Sequence, residues 1–335
     1  MTAPRSERPN IVAVGAGRMG RGIAHMFAYA GLPVTLLDIK PRNAGDFAAL
    51  ASEARNEIHG NMKLLASLGI LLEHQVGQAL ALINVCPAAV AGAVLDRADF
   101  ILEAVPETRE AKTQALALIG KSALAGAIVA STTSTFLVTE LQQFIPAPER
   151  FLNTHFLNPA YLIPLVEISA SPTTDEAVVQ RTLALFTRIG KVPVRCSATP
   201  GYIIPRLQAL LMSEACRMVA EGVATPEEID KAITHGFGPR YATMGVLEFI
   251  DWGGVDILYY AGNYLAKALD SPRHAPPVEV EQMMRDGRTG LREGQGYYDF
   301  RNRDVAAYQQ EKLSRFVTLL KSLGHIPAPG VADKD

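Results

Sequence analysis

Ile11-Val12-Ala13-Val14-Gly15-Ala16-Gly17-Arg18-Met19-Gly20 is the stretch that decides the fold. Its first four residues are apolar with a β-branched bias, which predicts a buried strand of a parallel sheet. Gly15, Gly17 and Gly20 follow at once in a GxGxxG pattern. A helical apolar period then runs through Ile23, Ala24, Met26, Phe27 and Ala30 and stops at Gly31. Pro33 to Leu37 reads as a second strand, closed by Asp38. Strand, helix and strand in that order make a βαβ unit, whose crossover implies a parallel sheet.

Alone, GxGxxG is a weak signal, and its bland reading is a glycine-rich turn that binds nothing. Here a strand precedes it, a helix opens on it and an acidic residue ends the next strand, which is the context of a dinucleotide site. Gly15 permits the tight turn, Gly17 lets a pyrophosphate approach the backbone, and Gly20 lets helix pack on strand. The helix start offers free N–H groups to the anion. Asp38 can accept hydrogen bonds from ribose hydroxyls and would repel a 2′-phosphate, so NAD is the expected cofactor. Lys40 and Arg42 lie close enough in sequence to suit NADP.

Working outward, Asp46 to Gln78 reads as helical with a weak turn near Gly69. Further strands are expected at Leu82–Val85, Phe100–Ala104 and Ala127–Ala130, with a helix over Glu107–Ser122. Phe151–Phe156 and Leu165–Ile168 read as strands, Asp175–Ile189 as a helix, and Val192–Arg195 as the last strand. Thr199-Pro200-Gly201 then breaks the chain. Helices are expected over Tyr202–Glu221, Pro226–Thr234 and Val246–Ala268, with no convincing strand among them. The fold class is therefore an α/β doubly wound sheet of the Rossmann type in residues 1–197, followed by an all-α domain in residues 198–335. The last stretch, Pro327 to Asp335, reads as a frayed tail.

Composition agrees with two packed domains. The chain has 335 residues, 48% hydrophobic and 20% charged, so a sizeable core can be buried and disorder is excluded for most of it. A net charge of −2 argues against a binder of nucleic-acid backbones. The longest apolar candidate, Ala115 to Ala130, is interrupted by Lys121, so no membrane span is expected. Met1 to Asn10 lacks the apolar middle of a secretion signal. Cys86, Cys196 and Cys216 are odd in number and widely spaced, which suits a reducing cytoplasm. No His-Glu-x-x-His or paired cysteines point to a metal.

Two residues stand out chemically. His155 ends one expected strand and Glu167 lies inside the next, in Leu165-Val166-Glu167-Ile168. A carboxylate in an apolar strand faces solvent or is buried with a partner. If the two strands form an antiparallel hairpin, positions 155 and 167 are equidistant from residue 161 and face each other. A carboxylate beside an imidazole orients the ring, and the pair then suits a general base taking a proton from an alcohol. The bland alternative is a satisfied structural histidine. Ser131-Thr132-Thr133-Ser134-Thr135 follows a strand at the sheet end where such folds place ligands. It reads either as a hydroxyl-rich cap or as a hydrogen-bonding group for substrate or nicotinamide.

In order and spacing these motifs resemble the L-3-hydroxyacyl-CoA dehydrogenase superfamily, which includes the L-gulonate and L-carnitine dehydrogenases. The resemblance is carried by Gly15 to Gly20, Glu103-Ala104-Val105-Pro106-Glu107 with Lys112, Ser131 to Ser134, His155-Phe156-Leu157-Asn158-Pro159, Leu165-Val166-Glu167 and Thr199-Pro200-Gly201. It implies His155 as general base and Glu167 as its orienting partner, with Ser134 and Asn158 contacting substrate and nicotinamide. Arg18, Met19, Asp38 and Ala104 would join the glycines around NAD, with Glu107 and Lys112 on the ribose and nicotinamide side. It also implies reversible hydride transfer from C3 of a 3-hydroxy compound, and a homodimer formed through the helical domain.

Substrate choice is divided. Pro205 stands where the acyl-CoA enzymes usually carry a substrate-touching Asn, and proline has neither side-chain donor nor N–H; it is tolerable near a helix's first turn. Gly236-Phe237-Gly238-Pro239-Arg240-Tyr241-Ala242 is similar to the enzymes of free acids, and Arg240 could pair with a carboxylate, with a CoA phosphate, or in an ordinary ion pair. Leu247 to Asp251 and Gly294 to Tyr298 resemble the acyl-CoA enzymes instead. Between Glu53 and Gln75 only Arg55 and Lys63 are basic, a thin supply for CoA phosphates. The expected substrate is a 3-hydroxybutyryl-CoA-like thioester, with a free 3-hydroxy acid as the alternative. A non-catalytic NAD-binding crystallin-like protein is a remoter reading, because such a protein would keep the glycines and lose the His–Glu pair.

Overall fold

Strand β1 (Ile11–Val14) pairs in parallel with β2 (Val34–Leu37) on one side and β4 (Phe100–Glu103) on the other. Beyond them lie β3 (Ile83–Cys86) and β5 (Ile128–Ser131), then β6 (Phe151–Phe156), β7 (Leu165–Ala170) and β8 (Val192–Ser197). The sheet order is β3-β2-β1-β4-β5-β6-β7-β8, parallel except for the antiparallel β6–β7 pair. This computed structural model describes residues 8–326. The frayed tail expected from Pro327 and most of the polar stretch at the start lie outside the described residues.

Helices cover both faces of the sheet. They are α1 (Arg18–Tyr29), α2 (Ala44–Ser67), α3 (Glu73–Leu80), α4 (Ala91–Leu95), α5 (Arg109–Ser122), α6 (Val138–Leu141) and α7 (Glu176–Arg188). Strand alternation sorts the core into two layers. Ile11, Ala13, Phe100 and Leu102 pack toward α1 and α7, where Phe27, Phe100 and Phe156 surround the ring of Phe186. Val12, Val14, Ile101 and Phe151 pack toward α5, against Leu116 and Ile119.

A second run of helices follows: α8 (Ile204–Ala220), α9 (Pro226–Ala232), α10 (Gly238–Tyr241), α11 (Val246–Gly253), α12 (Val255–Ala268), α13 (Val278–Arg285) and α14 (Val305–Ser322). Packing divides the described residues into two compact units, one up to Met212 and one from Ser213, so the division falls inside α8. The change of character expected near residue 198 coincides with the end of β8 at Ser197. In the second unit Val255, Val280 and Met283 form one small core, and Leu291, Phe300 and Tyr308 another.

Three expected helices end differently, two of them at a glycine. The helical run read over Asp46–Gln78 breaks into α2 and α3 at the turn expected near Gly69, which adopts φ +75°. The helix read over Val246–Ala268 is two, split at Gly254 with φ +109°. Pro226–Thr234 ends as a helix at Ala232 and passes into a π-helical stretch, Ile233–Phe237. Asp251 is fully buried and accepts the amides of Tyr297 (2.9 Å) and Tyr298 (2.8 Å). A Cβ on Gly296 would lie 2.1 Å from the Asp251 carboxylate. The Leu247–Asp251 and Gly294–Tyr298 motifs are thus two halves of one structural lock, which explains their presence without reference to substrate.

One core residue makes stability depend on pH. His25 on α1 is fully buried and stacks on Tyr161 at 4.1 Å between ring centroids. Among the described residues neither ring nitrogen has a hydrogen-bond partner. Burial, aided by the charge of Lys191, lowers its pKa from 6.5 to about 4. The unfolded chain therefore takes up this proton first as pH falls, and stability is lost between those two values. At about pH 5 the loss is about 2 kcal/mol relative to neutral pH. His25→Phe keeps the stack and should flatten this part of the curve in urea unfolding at about pH 7.5 and pH 5. An unchanged pH dependence in the variant would contradict the assignment.

Candidate active site

The nucleotide cleft forms where β1 and β4 part at the carboxyl ends of the strands, the switch point of a doubly wound sheet. Gly15 has φ +110°, and a Cβ there would sit 2.7 Å from the Ala104 carbonyl oxygen at the end of β4. A Cβ on Gly20 would sit 1.8 Å from the Gly15 oxygen, so α1 can approach β1 only without a side chain. Gly17 differs, because a Cβ there would meet nothing within 4 Å. That open side is where a ligand can reach the backbone. No side chain caps α1 and its first turn holds no acid, so its amide groups are left for an anion. The residues fit a dinucleotide.

The cleft has a volume of about 480 Å³, and its walls include Gly15, Gly17, Arg18, Met19, Asp38, Ala104, Glu107, Ser134 and Asn158. Gly20 is buried beneath it and acts through packing. Asp38 is 4% exposed and anchored by the Nε of Arg42 at 2.6 Å. Arg42 and Lys40 line the same end of the cleft.

Under the opposite wall lies a buried charge network. Lys112 on α5 and Glu103 on β4 are both fully buried, and the Lys112 ammonium donates to both Glu103 oxygens at 3.1 Å. Glu103 also accepts from the Ser131 hydroxyl and from the Val105 amide (2.9 Å). Lys112 pairs as well with Glu107 at 3.2 Å. Glu107 accepts from the Thr133 hydroxyl and from the amides of Ser134 (3.1 Å) and Thr135 (3.0 Å). Burial raises the Glu107 pKa, but Thr133, Lys112 and the Thr135 amide together hold it below the ordinary carboxylate range. Lys112 is therefore not on the cleft wall and reaches it only through Glu107.

The antiparallel register of β6 and β7 sets His155 directly opposite Glu167, as the hairpin reading expects. Both are almost fully buried, and His155 Nδ1 lies 2.7 Å from Glu167 Oε2. A carboxylate on Nδ1 holds the proton there and leaves Nε2 as acceptor. Among the described residues no protein group bonds Nε2. The other carboxylate oxygen of Glu167 accepts the amides of Ile203 and Ile204, each at 2.8 Å, at the start of α8. Burial works against its ionisation, while His155 and these amides outweigh burial and lower its pKa.

Family models match both parts of the chain. The NAD binding domain of 3-hydroxyacyl-CoA dehydrogenase matches residues 10–199, and the C-terminal domain of 3-hydroxyacyl-CoA dehydrogenase matches residues 201–300. The chain belongs to the 3-hydroxyacyl-CoA dehydrogenase family. It is an NAD-dependent oxidoreductase acting on CH–OH groups. A lambda-crystallin homolog of Bos taurus is 37% identical over 270 residues, covering 79% of this chain and 80% of that one. A 3-hydroxybutyryl-CoA dehydrogenase of Mycobacterium tuberculosis is 32% identical over 289 residues, covering 86% and 96%. The crystal structure of a 3-hydroxyacyl-CoA dehydrogenase from Archaeoglobus fulgidus superposes with a TM-score of 0.75 at 28% identity, covering 95% of this chain and all of that one.

In this member of the family, Pro205 falls in the first turn of α8, where proline is well tolerated. Arg240 lies in the second unit with its guanidinium 5.3 Å over the Phe249 ring. It lines an apolar pocket with Met244, Trp252 and Phe316. The site also brings together residues that sequence reading did not single out. Tyr202, read only as the first residue of a helix, stacks on His155 with 4.9 Å between centroids and 12° between planes. Asn153 and Thr133 hold its hydroxyl. Asn153 alternates with His155 along β6, and that spacing was the one available signal for it.

Proposed function

We propose that this dehydrogenase interconverts an L-3-hydroxyacyl-CoA of 3-hydroxybutyryl type and its 3-keto thioester, with His155 as general base. The supporting observation is the buried His155–Glu167 pair at 2.7 Å, which leaves Nε2 as the acceptor beside a dinucleotide cleft. NAD held in the cleft would supply the hydride acceptor for C3. Nε2 of His155 takes the hydroxyl proton, and Glu167 stays ionised against the imidazolium that results. Ser134 and Asn158, both on the cleft wall, contact substrate and the nicotinamide end. Arg18, Met19, Asp38 and Ala104 line the site for the rest of the cofactor, and Lys112 fixes Glu107. Residues 1–197 serve as the cofactor domain and 198–335 as the substrate and dimerisation domain. The two family segments meeting between residues 199 and 201 support that division.

A free 3-hydroxy acid is the alternative substrate, favoured by the sparse cations between Glu53 and Gln75. Parallel NAD-linked assays with 3-hydroxybutyryl-CoA, L-gulonate and L-carnitine discriminate the two. The thioester should give the highest kcat/KM, by at least about tenfold, the effect of about 1.4 kcal/mol of differential binding. No turnover of the thioester would reject the lead reading.

A homodimer through the helical domain is supported by apolar side chains left exposed there: Leu210, Met212, Ile257, Tyr260 and Tyr264. Sedimentation at the mass of one chain would reject it. A cytoplasmic setting is supported by three free cysteines. No helix of the described residues is long and apolar enough to cross a membrane.

A further inference from the structure

We propose that Tyr202 is a positioning residue for His155, its ring stack fixing the plane of the imidazole, with the phenol hydroxyl as a lesser anchor of the ring. The inference rests on the reading of His155 as general base. An imidazole bonded only at Nδ1 can still swing about that bond and carry Nε2 off its target. The Tyr202 ring lies flat on the imidazole, 4.9 Å away and 12° from parallel, and removes that freedom. Both rings are buried, at 4% and 8% exposure, so no water layer separates their surroundings from the core.

The tyrosine is itself held from two sides. Its hydroxyl donates to the Thr133 carbonyl oxygen at 2.9 Å and accepts from Asn153 Nδ2 at 3.0 Å. Burial pushes the phenol pKa well up, so it remains a donor. Asn153 lies on β6 two places before His155, and Thr133 precedes Ser134 on the cleft wall. The hydroxyl thus ties the strand of the base to the loop of the substrate. Tyr202 sits at φ +47°, an uncommon conformation for a residue with a Cβ. Such backbone persists only where surrounding contacts over-determine it. Here those contacts are the stack, the two hydroxyl bonds, and the next two amides, which are spent on Glu167.

Tyr202→Leu removes the ring, Tyr202→Phe keeps the stack and loses the anchor, and His155→Ala is the reference. All three are measured as full-length enzyme for kcat, for NAD dissociation constant and for thermal midpoint. Tyr202→Leu should lower kcat by about 30-fold, in line with misplacement of a reacting group by under an ångström. Its NAD affinity should stay within about twofold, and Tyr202→Phe should recover kcat to within about fivefold of wild type. Wild-type kcat in Tyr202→Leu, with His155→Ala inactive, overturns the positioning role alone. So does an equal loss in Tyr202→Leu and Tyr202→Phe, which would assign the effect to the hydroxyl. Wild-type kcat in His155→Ala overturns the base reading itself.

Discussion

His155→Ala should lower kcat by about 10²- to 10⁴-fold, the range that a positioned general base contributes. NAD affinity should stay within about twofold of wild type, because His155 is not part of the cleft wall. The alanine removes the only nitrogen of the pair placed to accept a proton. The scaffold remains, since Glu167 keeps the amides of Ile203 and Ile204. The loss belongs to the transition state, so kcat and kcat/KM should fall together. Steady-state kinetics with fluorescence titration of NADH separate the two quantities. Retention of wild-type kcat would remove His155 from the chemistry.

Lys112→Met should unfold or severely weaken the first unit, at a cost of about 3–5 kcal/mol. The substitution nearly matches the lysine in length but strips two carboxylates of their shared cation. Glu103 is fully buried, and without Lys112 it keeps, among the described residues, only the Ser131 hydroxyl and the Val105 amide. A buried charge without a counter-charge is far costlier than a neutral pair of the same shape. Adding Glu103→Gln to Lys112→Met should therefore recover part of the loss, a coupling that a double-mutant cycle in urea measures. Additive losses in the double variant would mean that the two residues do not share a charge interaction. In whichever variants fold, NAD binding should weaken, since Glu107 would be held by the Thr133–Thr135 segment alone.

All eight strands were legible from short apolar runs, most plainly β1, β4 and β5, which are buried and parallel, so that every residue carries the signal. The facing of His155 and Glu167 was legible too, since a hairpin's register follows from the distance of each residue to the turn. Helix ends were less so. The turn near Gly69 was legible, but Gly254 also breaks a helix through positive φ, and a glycine in an apolar period looks the same whether or not it turns the chain. The helices α13 and α14 went unread because their small cores share few apolar positions. Lys112 was legible as a member of a motif but not as a buried one. Its burial depends on Glu103, a strand residue whose charge only tertiary packing explains. Tyr202 was hidden for a similar reason, being next to nothing in sequence that it touches.

Glu167 places a constraint on the chain that no helix rule would supply. Proline is welcome through the first turn of a helix, and Pro205 sits there without penalty. One residue earlier, at Ile204, the same ring would be just as acceptable to α8. It would, however, erase one of the two amide donors on the carboxylate that steers the imidazole. At this junction a single position separates a harmless imino acid from one that would reach the His155–Glu167 pair, and the boundary is drawn by the needs of a carboxylate rather than by the folding of the helix.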